Sequence, residues 1–132
     1  MVFSLSKIQQ QNEFEPIPGG KYSDQIHARF WVAGKNGGYL GVGRIELLEH
    51  IQQSGSMNQA AKSMGMSYKK AWKLVDELNR MYDSPLVEKA QGGRSGGGSV
   101  LTPKGLDVIQ SFRQLESRMS AFLQQESELI DF

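Results

Sequence analysis

Apolar positions change period along the chain, and each change marks an element. Residues 1–20 show no sustained period, and Pro16, Pro18, Gly19 and Gly20 mark a loop or extended arm. Ile26, Ala28, Phe30 and Val32 then alternate with their neighbours, which predicts a strand over 26–33. Gly34-Lys35-Asn36-Gly37-Gly38 carries turn chemistry, because Asn-Gly tolerates the positive φ of a tight hairpin. Residues 39–42 read as the returning strand. From Arg44 to Gln53 the spacing becomes helical: Ile45, Leu48 and Ile51, with Leu47, form one stripe, and Gly55 ends it. Met57 to Met64 reads as a short helix. It opens with a capping box in which Ser56 accepts a backbone N–H and Gln59 reaches back, and Gly65 stops it. Ser67 is placed to cap a third helix from Tyr68 to about Tyr82. Its apolar stripe is Ala71, Trp72, Val75, Leu78 and Tyr82, with Trp72 assigned to the core, and Pro85 forbids continuation. Leu86–Ala90 and Val100–Leu101 read as two short strands around a tip, residues 91–99, that holds five of the fifteen glycines. Thr102 as N-cap and Pro103 at the first helical position open a last helix reaching near Leu129.

Helix, short helix, a break at Gly65-Met66-Ser67 and a longer helix form the pattern of a helix-turn-helix. The glycine-tipped hairpin that follows makes it a winged version. The expected fold is mainly α with small β: a winged helix-turn-helix with an N-terminal β-hairpin and a long C-terminal dimerisation helix. One domain is expected over 1–132. It divides into an arm and hairpin (1–43), the winged helix-turn-helix (44–104) and the dimerisation helix (105–132).

Composition narrows the function. At 132 residues the chain is of single-domain size, and 39% hydrophobic residues support a core. No apolar run approaches the roughly 20 residues of a membrane span. The N-terminus lacks the pattern of a signal peptide, so a cytoplasmic protein is expected. The absence of cysteine excludes disulfides, thiolate metal sites and cysteine nucleophiles. The net charge of +1 is unevenly spread. Residues 62–104 carry eight basic and four acidic residues, whereas 105–132 carry two and five. A basic middle beside an acidic tail points to a polyanionic partner for the middle.

That basic excess falls on the third helix. Ser67, Tyr68, Lys69, Lys70 and Lys73 cluster in its N-terminal half, which in this motif enters the major groove of DNA. Backbone N–H groups at the helix start and lysine ammonium groups favour phosphate, while Ser67 and Tyr68 carry hydroxyls for phosphates or base edges. Arg94 on the glycine-rich tip, with Ser95 beside it, is suited to the backbone or a narrow minor groove. Ser56 and Asn58, at the start of the short helix, complete the candidate DNA-binding set.

The run Gly55-Ser-Met-Asn-Gln-Ala-Ala-Lys-Ser-Met-Gly-Met-Ser-Tyr-Lys-Lys-Ala-Trp-Lys-Leu-Val-Asp-Glu-Leu-Asn79 carries a family resemblance. So do Leu86-Val87-Glu88, the wing Gly92-Gly93-Arg94-Ser95-Gly96-Gly97-Gly98 and Leu101-Thr102-Pro103-Lys104-Gly105. Together these segments closely resemble the N-terminal DNA-binding domain of bacterial ModE-type, molybdate-responsive regulators and, more distantly, the LysR-type winged helix. The resemblance covers about Gly43 to Leu123. It implies a dimeric transcriptional regulator whose last helix pairs with its partner's, with Ser67, Tyr68, Lys69 and Lys70 opening the recognition helix and Arg94 on the wing. Full-length members carry C-terminal molybdate-binding modules that a chain ending at Phe132 lacks, so molybdate sensing is not expected within it.

The last helix supports dimerisation independently. Val108, Phe112, Leu115, Met119 and Phe122 are spaced by 4, 3, 4 and 3 residues, the seam of helix pairing. At 1.5 Å per residue the helix is about 35 Å long or more, too long for so small a body to cover. The expected partners are therefore double-stranded DNA, read as a palindromic operator, and a second copy of the chain. No cofactor is expected.

Rival functions are weaker. Glu46, Glu49 and His50 share a helical face, but a metal site needs a further ligand and an open position, and none has a candidate nearby. The glycine-rich tip lacks the Lys-Ser/Thr ending of a phosphate-binding loop. Neither histidine has the setting of a Ser-His-acid triad. The chain is therefore read as no enzyme. A winged helix reused to bind proteins, or a non-specific architectural DNA binder, is the alternative.

Overall fold

The computed structural model describes residues 25–35, 37–90 and 98–130. These form β1 (Trp31–Ala33), β2 (Tyr39–Gly41), α1 (Val42–Ser54), α2 (Met57–Ser63), α3 (Tyr68–Asn79), β3 (Val87–Lys89), β4 (Ser99–Leu101) and α4 (Pro103–Leu129). Backbone proximity divides the chain into two compact units: residues 31–111, and residues 1–30 with 112–132.

The first unit is built on three helices. Ile45, Leu47, Leu48 and Ile51 of α1 are buried, as are Met57, Ala60 and Ala61 of α2 and Ala71, Val75 and Leu78 of α3. Burying each Leu or Ile contributes about 1.5–3 kcal/mol, so these stripes fix how the helices cross. Gly55 ends α1 at φ 67°, its N–H donating to Ile51 O at 2.8 Å. Gly65 ends the α2 segment at the same φ. Only glycine enters this left-handed region at little cost, which keeps both breaks short. Ser56 caps α2 by accepting the Gln59 N–H at 3.1 Å. The reciprocal half of the expected capping box is made differently: the Ser56 N–H donates to Ser54 Oγ at 3.2 Å, on the side opposite Gln59.

α3 stops at Asn79, short of the expected Tyr82: its last turn tightens, the Met81 N–H donating to Leu78 O at 3.0 Å, and the Asn79 side chain turns to the wing. Its Oδ1 accepts the Leu86 N–H at 2.8 Å and the Val87 N–H at 3.3 Å, and its Nδ2 donates to Val87 O at 3.2 Å. β3 and β4 pair antiparallel, Val87 opposite Leu101, Glu88 opposite Val100 and Lys89 opposite Ser99. Thr102 joins wing to helix: its hydroxyl donates to Pro85 O at 2.7 Å and accepts the Gly105 N–H at 3.0 Å, capping α4.

The expected N-terminal hairpin is present but shorter. β1 and β2 pair antiparallel with Val32 opposite Leu40, and Val42 already belongs to α1. Residues 26–30 keep the predicted alternation without forming a strand: Ile26, Ala28 and Phe30 are half-buried, while Gln25, His27 and Arg29 are exposed. Within the second unit Phe30 stacks on Phe112, ring centroids 4.8 Å apart, and the Ile26 N–H donates to Ser127 Oγ at 2.8 Å. An alternating segment needs one apolar surface on one side, and here a helix supplies it. Among the described residues no helix is long and apolar enough to cross a membrane.

Candidate nucleic-acid interface

The third helix is strongly two-faced. Ala71, Val75 and Leu78 turn inward, while Ser67, Tyr68, Lys69, Lys70 and Lys73 are all exposed, Tyr68 by 53%. Positions 68, 69, 70 and 73 surround the first turns, so three ammonium groups and a phenol lie around one helix start. Ser67 Oγ accepts the Lys70 N–H at 3.1 Å. That bond uses an acceptor lone pair and leaves the hydroxyl proton to donate to a phosphate. Asn58 is exposed on the first turn of α2, and Ser56 is half-buried at its cap. Arg94 and Ser95 lie outside the described residues.

An open depression runs along this face. It is lined by Ser67, Tyr68, Lys70, Trp72, Lys73 and Arg80, among others, and Arg44, Asp76 and Glu77 also border it. Trp72 departs from the expectation that it joins the core: it is half-buried and lines the depression. At 100° per residue it is turned well away from Ala71, and it falls one turn beyond Tyr68 on the same face. The two rings meet edge to face with centroids 6.4 Å apart. The i, i+4 spacing of Tyr68 and Trp72 was the signal available in the sequence.

Arg44 and Lys89 also join the site, and neither was expected there. The Arg44 guanidinium lies 3.9 Å from the Tyr39 ring centroid, and its Nη1 is 2.9 Å from Glu77 Oε2. That contact is an ion pair without hydrogen-bond alignment, since Nη1 and Nε are buried with no hydrogen-bond partner. The pair ties α1 to α3 across the depression. Lys89 reaches from the wing stem to Trp72, its Nζ 5.4 Å from the ring centroid. Among the described residues no group of three or more His, Asp or Glu side chains is arranged to hold a metal ion.

The proposed helix-pairing seam divides in two. Val108 and Phe112 are buried within their own chain. Leu115 is 40% and Phe122 58% exposed, and Met119 between them is half-buried.

A short helix, a left-handed glycine break, a helix with an exposed basic start and an antiparallel hairpin define a winged helix-turn-helix, the architecture of a DNA-binding domain. Residues 42–106 match the bacterial regulatory helix-turn-helix protein, lysR family, and form a helix-turn-helix domain of that type. The chain is 42% identical over 88 residues to the molybdenum transport protein ModE of Azotobacter vinelandii, covering 67% of this chain and 33% of that protein. It is 51% identical over 69 residues to the DNA-binding transcriptional dual regulator ModE of Escherichia coli K12, covering 52% and 26%. It is 43% identical over 91 residues to the transcriptional regulator ModE of Haemophilus influenzae, covering 67% and 36%. The chain thus spans only about a quarter to just over a third of the length of these curated relatives.

Proposed function

We propose that this chain regulates transcription by binding a palindromic operator as a homodimer. In this reading the start of α3 enters the major groove, and the glycine-rich tip with Arg94 and Ser95 lies on the backbone or minor groove. The observation that carries it is the exposure of Ser67, Tyr68, Lys69, Lys70 and Lys73 around one helix start whose opposite side is core. Three lysines there suit phosphates on both walls of a groove, and Tyr68 reaches from the same turn toward base edges. Ser56 and Asn58 belong to the helix that crosses the backbone in this motif.

The homodimer rests on Leu115, Met119 and Phe122, which give α4 an accessible apolar stripe. Val108 and Phe112 extend its line inward.

Titration of a fluorescent duplex against rising salt tests it. Contacts to about four to six phosphates predict a log–log slope near −4 to −5, and Lys70→Ala lowers affinity on the same duplex. Insensitivity to salt and to Lys70→Ala favours a protein partner instead. Footprinting separates a protected palindrome from the uniform coverage of an architectural binder.

A further inference from the structure

We propose that Lys89, at the stem of the wing, is a backbone-phosphate contact held between wing and recognition helix by Trp72. The inference rests on the DNA-reading function proposed above and assigns the site a cation that its helix and wing tip do not contain.

The position follows from the hairpin's alternation. Val87 is buried, Glu88 and its partner Val100 are exposed on the outer face, and Lys89 returns to the face of Val87, Leu101 and buried Ser99. A strand residue on the inner face of a small hairpin is normally core, yet this one is exposed lysine. Its ammonium stands 5.4 Å from the Trp72 centroid. Trp72 in turn meets the edge of Tyr68. The three side chains form a line from the open start of α3 to the root of the wing.

The chemistry of that line suits a phosphodiester. An aromatic face attracts an ammonium group without neutralising it, so the cation is positioned and its charge remains available. Among the described residues no carboxylate pairs with Lys89, whereas Arg44, which lines the depression beside α3, is engaged by Glu77. A duplex that lays its groove over α3 and its backbone on the wing passes a strand over the junction between them, where Lys89 stands. A phosphate contact there sets register and affinity and carries no base information.

The test compares wild type, Lys89→Ala and Lys89→Arg in a Trp31→Phe background, where Trp72 is the single tryptophan. Binding to an operator duplex and to an unrelated duplex is measured from 50 to 200 mM salt. One lost phosphate contact lowers the slope by about 0.9, so the advantage of wild type over Lys89→Ala shrinks about 3- to 4-fold across that range. The loss is expected to be equal on both duplexes and restored by Lys89→Arg, with the Trp72 emission of the wild-type background shifting when DNA is added. An unchanged slope in Lys89→Ala, even with weaker binding, overturns the inference and makes Lys89 a packing residue; the proposed function survives. Salt-insensitive binding, or no binding, by wild type overturns both.

Discussion

Gly98 and Gly55 meet backbone to backbone. A Cβ added at Gly98 would collide with the Gly55 carbonyl oxygen, and the neighbouring Ser99 N–H donates to that same oxygen at 3.0 Å. The Gly98 carbonyl accepts the Ala90 N–H at 2.8 Å, closing the wing just beyond Lys89. The root of the wing is thereby pinned to the turn between α1 and α2. Gly98→Ala forces either the turn or the strand to move, at a cost of about 1–3 kcal/mol, as for overpacked sites. A lower denaturation midpoint and altered amide signals at Gly55 and Ser99 are the expected outcomes.

Asn79 pins the wing from the other side. Its Oδ1 accepts two N–H groups, and one of them belongs to fully buried Leu86. Asn79→Ala leaves that N–H without a partner and costs about 1–3 kcal/mol by urea unfolding. Asn79→Asp keeps both accepted bonds and loses only the donated one, so it is expected to be the milder change.

These two residues show what the sequence displayed and what it did not. Helix starts were legible wherever a small polar residue preceded an apolar stripe: Ser56, Ser67 and Thr102 each cap the helix they were read to cap. The two glycine stops at Gly55 and Gly65 were legible for the same local reason. The end of α3 was not, because Asn79 and Tyr82 both fit a helix and the partners of the Asn79 side chain, the N–H groups of Leu86 and Val87, are distant in sequence. Residues 26–30 alternate whether the partner is a strand or the side of α4, so the period was right and the element was not. Trp72 was missed although its i, i+4 spacing from Tyr68 was visible, and Lys89 was missed because its contact with Trp72 crosses seventeen positions of sequence.

Ser67 combines a structural and a binding role, and two substitutions separate them. Ser67→Ala removes the acceptor for the Lys70 N–H and is expected to cost about 1 kcal/mol of stability. Ser67→Asp retains an acceptor, and its charge suits the helix start, so stability is held. That same charge stands among Lys69, Lys70 and Lys73, where a phosphate is proposed to lie, so DNA binding falls below that of Ser67→Ala. Thermal unfolding and fluorescence anisotropy on the same samples check both halves.

Tyr82 gives a pH signature. Burial raises its phenol above the ordinary value near 10 by disfavouring the tyrosinate. The folded chain therefore holds this proton more tightly than the unfolded chain. Its contribution to stability is fully present below about pH 10 and is lost as pH rises through the raised value. Tyr82→Phe is expected to flatten the alkaline limb of the stability profile, measured by urea unfolding between about pH 9 and 11.

The seam of α4 yields the sharpest contrast between two phenylalanines. Phe122 is 58% exposed, and its side chain has no aromatic partner among the described residues, whereas Phe112 is 4% exposed and stacked on Phe30. Phe122→Asp removes apolar surface only from the proposed partner face. The expected product is a folded monomer in sedimentation, with unchanged helical content. Phe112→Asp buries a carboxylate against an aromatic ring, and burying a charge without a partner is costly. It is expected to unfold residues packed on α4 before it reports on association. A Phe122→Asp chain that sediments as a dimer removes the exposed half of α4 as the pairing surface. A Phe112→Asp chain as stable as wild type would show that the Phe30 contact contributes little, and would return Phe112 to the seam.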